Sequence, residues 1–251
     1  MRRSSSMNRR RTRRPRRSRP FAASLLVGAI VAGASSGERM RAAAAEAPAG
    51  AGGEEVSTFF VGRLEYGGDH GTECGDVGLG LVRLVSKAST IEVDEEKRLR
   101  LTDPALFETP FVFMNGHDDF VFSDAELERL RGYLERGGFV FASGCCTNPE
   151  FPAAWRREFD RVFPDARVAP IPYDHPIYRS FYDLERLRSH NGDRDLFLEG
   201  LFAGGELVAV LGEDGLCCAF AMGGVCNRDN GIYPEDAQKI ALNIAVYALT
   251  H

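Results

Sequence analysis

Two adjacent cysteines sit inside residues 137–149, GGFVFASGCCTNP, where an apolar, strand-like run gives way to polar loop residues. A thiol at such a junction offers four kinds of chemistry. It can be a nucleophile once a base or a positive field draws off its proton, a ligand for a soft metal ion, half of a disulfide, or a small packing group. The partners that would decide among these are few. His117 and Asp118 follow a second apolar run, residues 110–114, in the loop Asn115-Gly116-His117-Asp118-Asp119. His175 lies in Asp174-His175-Pro176-Ile177-Tyr178, Cys217 and Cys218 form a second adjacent pair, and Cys74 shares a Gly-rich loop with Asp69 and His70.

Spacing narrows the choice only in part. Six cysteines (74, 145, 146, 217, 218 and 226) allow up to three disulfides. Adjacent cysteines seldom bridge one another, so Cys145 and Cys146 facing Cys217 and Cys218 is the pairing to expect if the chain is oxidised. No C-x2-C or H-x3-H spacing fixes a metal site, so none is assigned, and nothing implies a cofactor. The Gly-rich residues 223–231 lack both the P-loop lysine and the dinucleotide spacing, which removes nucleotides from consideration.

The elements that must position these groups follow from periodicity. Residues 58–66 predict a first strand, and Val77, Leu81, Leu84 and Val85 a helix over 76–88 with one apolar face. A short strand is expected at 90–93 and an exposed turn of mixed charge over 92–100. Residues 110–114 form a continuous apolar run, as in a central parallel strand. Ser123-Asp124-Ala125-Glu126 is a capping box for a helix carrying Leu127, Leu130 and Leu134 up to Gly137. Phe151, Trp155, Phe159 and Phe163 form the apolar stripe of another helix. Strands are then expected at 167–171 and, as a hairpin, at 206–211 and 216–222, with an irregular stretch up to 200 and a last helix over 234–249. Strands alternating with helices imply a three-layer α/β/α sandwich with a mainly parallel sheet. In such sheets ligands bind beyond the carboxyl ends of the strands. The loops 115–119 and 143–148 are therefore expected to form a cleft with 174–178, lined by Asn115, Gly116, His117, Asp118, Gly144, Cys145, Asn148 and Tyr178.

The N-terminus is organised differently. Residues 1–20 hold ten arginines and no acid, residues 21–34 are apolar or small, and a small-residue stretch follows. That order predicts an export signal over 1–45 and a flexible linker over 46–56, ahead of one domain over 57–251. The apolar run of 14 residues falls short of the roughly 20 that span a bilayer, so cleavage is expected, with an uncleaved anchor as the lesser alternative, and release to the periplasm or outside the cell. The whole chain carries −5 and the leader +11, which leaves −16 for the remainder. That charge repels phosphate backbones, so no nucleic-acid partner is expected. A cell-envelope protein or a small ligand is.

The "GH" that ends one strand, "LRGYLERGGFV" and "DHPIY" together resemble the exported bacterial domain-of-unknown-function family 4159, over roughly residues 58–251. The resemblance implies a flavodoxin-like, class I glutamine amidotransferase-like fold and carries no reaction with it. In amidotransferases a Gly-x-Cys-x-Gly turn lifts a nucleophile, and a later His-Pro-Glu supplies base and orienter. By that likeness Cys146 stands in the nucleophile position with Asn148 replacing the final glycine. His175 stands as base, and Asp174 substitutes for the carboxylate that Ile177 lacks. Two functions are thus expected: a ligand-binding or scaffolding domain of the cell envelope, or a cysteine-dependent hydrolase or acyl transferase using Cys146 and His175.

Overall fold

The computed structural model describes residues 59–68, 70–72, 74–192, 194–222 and 231–251. The expected leader and linker, Asp69, and the 223–230 stretch with Cys226 lie outside the described residues. In chain order the elements are β1 (Phe59–Glu65), α1 (Val77–Ala88), β2 (Val93–Arg100), β3 (Phe111–Gly116), α2 (Asp124–Glu135), β4 (Phe139–Gly144), α3 (Glu150–Val162), β5 (Arg167–Pro170), β6 (Leu187–Arg188), β7 (Asp195–Leu196), β8 (Leu198–Ala203), β9 (Glu206–Gly212), α4 (Leu216–Met222) and α5 (Pro234–Thr250).

Seven strands form one sheet in the order β2-β1-β3-β4-β9-β8-β5. Neighbours from β2 to β9 run parallel, and β8 is antiparallel to both β9 and β5. β3 and β4 are buried at every residue, as central strands covered on both faces must be. Alternation divides their side chains between two cores. Phe111 and Phe113 join the cluster under α1, α4 and α5, while Val112 and Met114 join the cluster under α2 and α3. Helices therefore flank the mainly parallel sheet on both sides. Trp155 and Phe159 of α3 stack at 4.3 Å in the second core, so truncating either to alanine would cost about 3–5 kcal/mol.

The capping box forms as predicted: Glu126 N donates to Ser123 Oγ and Ser123 N to a Glu126 carboxylate oxygen. The other oxygen of Glu126 accepts from Gly67 N, which ties α2 to the loop after β1.

Three expectations are corrected. The charged run over 92–100 is no turn: Val93–Arg100 is an edge strand paired with β1, and its charges blunt an edge that would otherwise recruit other chains. Leu216–Met222 is a helix, and the partner of β9 is β8, joined through Gly204 and Gly205. A short apolar run reads alike as a buried strand or a buried helix, which is why LCCAFAM misleads. Phe163 falls just past α3, and Val162 takes the buried place expected for it.

Candidate thiol and imidazole site

The sheet order reverses between β1 and β3, because the chain passes from β1 through α1 out to β2 and then returns to the far side of β1. The helices after β1 and β3 lie on opposite faces, so their connecting loops part and leave a crevice at the carboxyl ends. Cys74 comes from the loop after β1, His117 from the residue after β3, Cys145 and Cys146 from the turn after β4, and Cys217 and Cys218 from α4 after β9. Four neighbouring parallel strands thus deliver five thiols and the His117 imidazole to a common rim.

The local backbone explains how each is aimed. Cys145 N donates to Gly116 O at 2.9 Å, extending the β3–β4 ladder one step past the strand end. Cys146 and Thr147 then adopt φ of +54° and +58°, and Cys74 also sits at +54°. Non-glycine residues seldom hold the left-handed region, and such strain concentrates at functional sites. Gly116 is packed too tightly for a side chain without a shift of its neighbours: an added Cβ would lie 2.6 Å from the Tyr66 hydroxyl and 2.7 Å from the Phe151 ring. The Cys74 loop is held from below by Arg63. This guanidinium, wholly buried on β1, donates to Gly75 O at 2.6 Å and Cys74 O at 3.4 Å and lies 3.8 Å from the Glu96 carboxylate of β2.

Cys146 Sγ lies 3.4 Å from His117 Nε2, and Cys74 Sγ 4.0 Å from the same nitrogen. Cys74, His117 and Cys145 form a triad whose donor atoms all lie within 4.8 Å of one another. Cys145, Cys217 and Cys218 form a second triad on the same criterion, with Cys145 common to both. Within the second, Cys145 Sγ is 3.1 Å from Cys217 Sγ, which is 3.8 Å from Cys218 Sγ. None of Cys145, Cys146, Cys217 and Cys218 is in a disulfide, although Cys145 and Cys217 of the expected pairing do meet.

Two fixed groups hold the shared sulfur's surroundings. Asn115 Nδ2 donates to Cys145 Sγ at 3.3 Å, and Ser143 Oγ accepts from Cys217 N at 2.9 Å. Contact with Cys217 is the main force holding the proton on Cys145; Cys218 pulls the other way, and Cys74 and burial add to the upward push. For Cys217 the Cys145 contact pulls down, but Cys218 and complete burial outweigh it and leave the thiol well above its ordinary range.

The remaining expected residues fall elsewhere or play local roles. His175 does not approach Cys146. Its ring packs on Phe202 at the end of β8 and on Tyr247, which packs on Phe139 at the start of β4. Cys146 lies past the other end of β4, a strand of six residues spanning about 17 Å. His175 therefore lies toward the amino-end rim, and the expected cleft lacks its His175 arm. His175 Nδ1 instead accepts from Ile177 N, capping a one-turn helix, and Asp174 is exposed beside it. Tyr178 is core: its hydroxyl accepts from Leu198 N and donates to Ile171 O. Asn148 Oδ1 accepts from Glu150 N at the start of α3, and Asp118 is exposed.

Cys74, expected as a member of a Gly-rich loop, is brought to the rim, and Arg63, which holds that loop, was not expected at the site. The available signal for Arg63 was a lone cation among the apolar residues of FFVGRLE.

The family described as domain of unknown function (DUF4159) matches residues 61–249, which takes in every residue of the rim. The chain belongs to this family. No curated protein matches it. Among the described residues, no helix is long and apolar enough to cross a membrane.

Proposed function

We propose that the protein is an exported binding domain of the cell envelope whose ligand is a divalent thiophilic metal ion, zinc foremost, held by Cys74, His117 and Cys145. The convergence of several thiols on one imidazole nitrogen carries this reading. A single ring lone pair accepts one S–H, so a nucleophile–base dyad would use one of these sulfurs and leave the others without a role. A metal ion uses them together. Bonds of about 2.3 Å to sulfur and 2.0 Å to nitrogen in a tetrahedral shell set neighbouring donors roughly 3.6–3.8 Å apart, so the triad closes on an ion with movements of about 1 Å. Two thiolates and a neutral imidazole balance a divalent charge, as a largely buried site demands. Three protein donors leave a fourth position for water, substrate or Cys146.

The parallel strands run in the order 2-1-3-4-9, which follows the flavodoxin-like arrangement and supports an amidotransferase-like classification. Residues 1–45, basic then apolar then small, support export.

The test is metal analysis of protein purified in reductant without chelator, followed by chelation and return of zinc. Zinc in at least equimolar amount is expected, with the melting temperature rising on its return; at one hundred times Kd the stabilisation is about 2.7 kcal/mol. A chelated protein that neither takes up zinc nor gains stability overturns the proposal.

The left-handed backbone at Cys146 favours a second reading, because strained turns past a strand end present nucleophiles in hydrolases. In that reading Cys146 is the nucleophile of a hydrolase or acyl transferase, and His117 is its base in place of His175. One thiol alkylated by iodoacetamide far faster than the rest, mapped to Cys146 and slowed by His117→Ala, would favour it.

A further inference from the structure

We propose a second metal position, formed by Cys145, Cys217 and Cys218, with the Cys145 sulfur bridging it to the first; this rests on the metal-binding reading above and deepens it to a two-ion thiolate centre. The three sulfurs lie within 4.8 Å of one another and all three residues are fully buried. Helical geometry brings the pair on α4 together: residues adjacent on a strand point to opposite faces, whereas on a helix they diverge by about 100° and both reach one point. Their sulfurs are 3.8 Å apart, the edge length of a zinc–thiolate shell at about 2.3 Å per bond. The Cys145–Cys217 contact of 3.1 Å must open by about 0.7 Å to reach that edge. The hydrogen bond from Cys217 N to Ser143 Oγ fixes the backbone that carries this sulfur, and the Asn115 amide is placed to donate to a Cys145 thiolate.

Charge selects the ion. Four thiolates, from Cys74, Cys145, Cys217 and Cys218, carry −4, which two divalent cations cancel. Two monovalent copper ions would leave −2 inside a buried site, and uncompensated buried charge is strongly disfavoured. An all-sulfur position also excludes hard, oxygen-seeking ions such as magnesium. The ligand class is therefore a divalent, soft to borderline cation, zinc or cadmium, at both positions.

The test uses the full chain, reduced and kept free of oxygen, titrated with zinc and followed by native mass spectrometry, with cadmium titrations reading thiolate-to-metal absorption. Two ions per chain are expected at saturation. Cys218→Ser should reduce the count to one, and His117→Ala should also reduce it to one. Cys145→Ser should weaken both positions by at least a hundredfold. Circular dichroism of each variant, with Cys218→Ala as a second form, checks that the fold is retained. A wild-type protein that saturates at one ion, or a folded Cys218→Ser and Cys218→Ala pair that still binds two, overturns the second position while the first stands. Failure to bind any ion overturns both.

Discussion

Replacing Arg63 with methionine isolates the group that anchors the Cys74 loop. Methionine fills much of the same volume and removes the charge. The variant loses the 2.6 Å hydrogen bond to Gly75 O and leaves the Glu96 carboxylate, whose side chain is 8% exposed, without its neighbouring cation. Removing one partner from a buried ionic contact costs about 3–5 kcal/mol, a large share of the roughly 5–15 kcal/mol that holds a domain together. For a domain of this size each kcal/mol lowers the melting temperature by about 2–4 °C, so a fall of about 10–15 °C is expected. Zinc affinity should fall as well, because the loop must now be ordered by the ion. If that ordering costs about 1.4–2.8 kcal/mol, Kd rises ten- to a hundredfold. The double variant Arg63→Met with Glu96→Leu separates the two effects. It should recover most of the stability, since the stranded carboxylate is gone, and little of the affinity, since no guanidinium ties the Gly75 and Cys74 carbonyls to β1. Urea unfolding gives the stabilities and competition with a zinc-binding dye gives the affinities. Unchanged zinc affinity in a clearly destabilised Arg63→Met would refute the claim that Arg63 positions Cys74.

Three further outcomes follow from the same geometry. Gly116→Ala forces a methyl against the buried Tyr66 hydroxyl and Phe151 ring, so a loss of about 2–3 kcal/mol is expected, read as a lower urea midpoint at unchanged slope. Burial first and the nearby His251 second hold the His175 pKa below its ordinary 6.5, against an opposing pull from Asp174. A depressed histidine contributes stability that is complete above pH 6.5 and is lost as pH falls through its folded value, so chelated His175→Asn should show a flatter stability profile below pH 6.5 with zinc stoichiometry at neutral pH unchanged. In the zinc-free protein, thiol–disulfide exchange with oxidised glutathione should join Cys145 to Cys217, each disulfide formed releasing two molecules of reduced glutathione. Peptide mapping should find that bridge only when zinc is absent, and its appearance at equal rate in zinc-loaded protein would contradict a shared Cys145.

The fold was legible where local rules act alone. The capping box at Ser123, the stripe of Phe151, Trp155 and Phe159, and the apolar runs that open β3 and β4 each carry their conformation in a few neighbouring residues. The errors arose where tertiary context decides. Val93–Arg100 has one fully covered side chain, Leu99, because an edge strand meets a neighbour on one side only, and its charges imitate a turn. Leu216–Met222 is apolar in every residue, and Leu216 to Phe220 are all buried, which erases the period that separates helix from strand.

The rim shows the same division at a larger scale. Cys145 and Cys146 were legible as a site because a parallel strand must end in a loop, and His117 because the strand beside it ends one residue earlier. What links these to Cys74, Cys217 and Cys218 is the order of strands, and no spacing in the chain encodes that order: the donors are separated by 43, 28 and 72 residues from Cys74 through His117 and Cys145 to Cys217. The preference for His175 failed for the complementary reason. Its His-Pro pair matches a motif, but the strand before it, β5, lies at the far edge of the sheet beyond the antiparallel strand β8, and the His175 ring packs toward the amino ends. A nucleophile and its base must share a rim before pKa or hydrogen bonding can matter. In this chain the imidazole that meets the condition is the one following the central strand β3, beside β4, and the sulfurs that crowd it make a metal ion the simplest common partner.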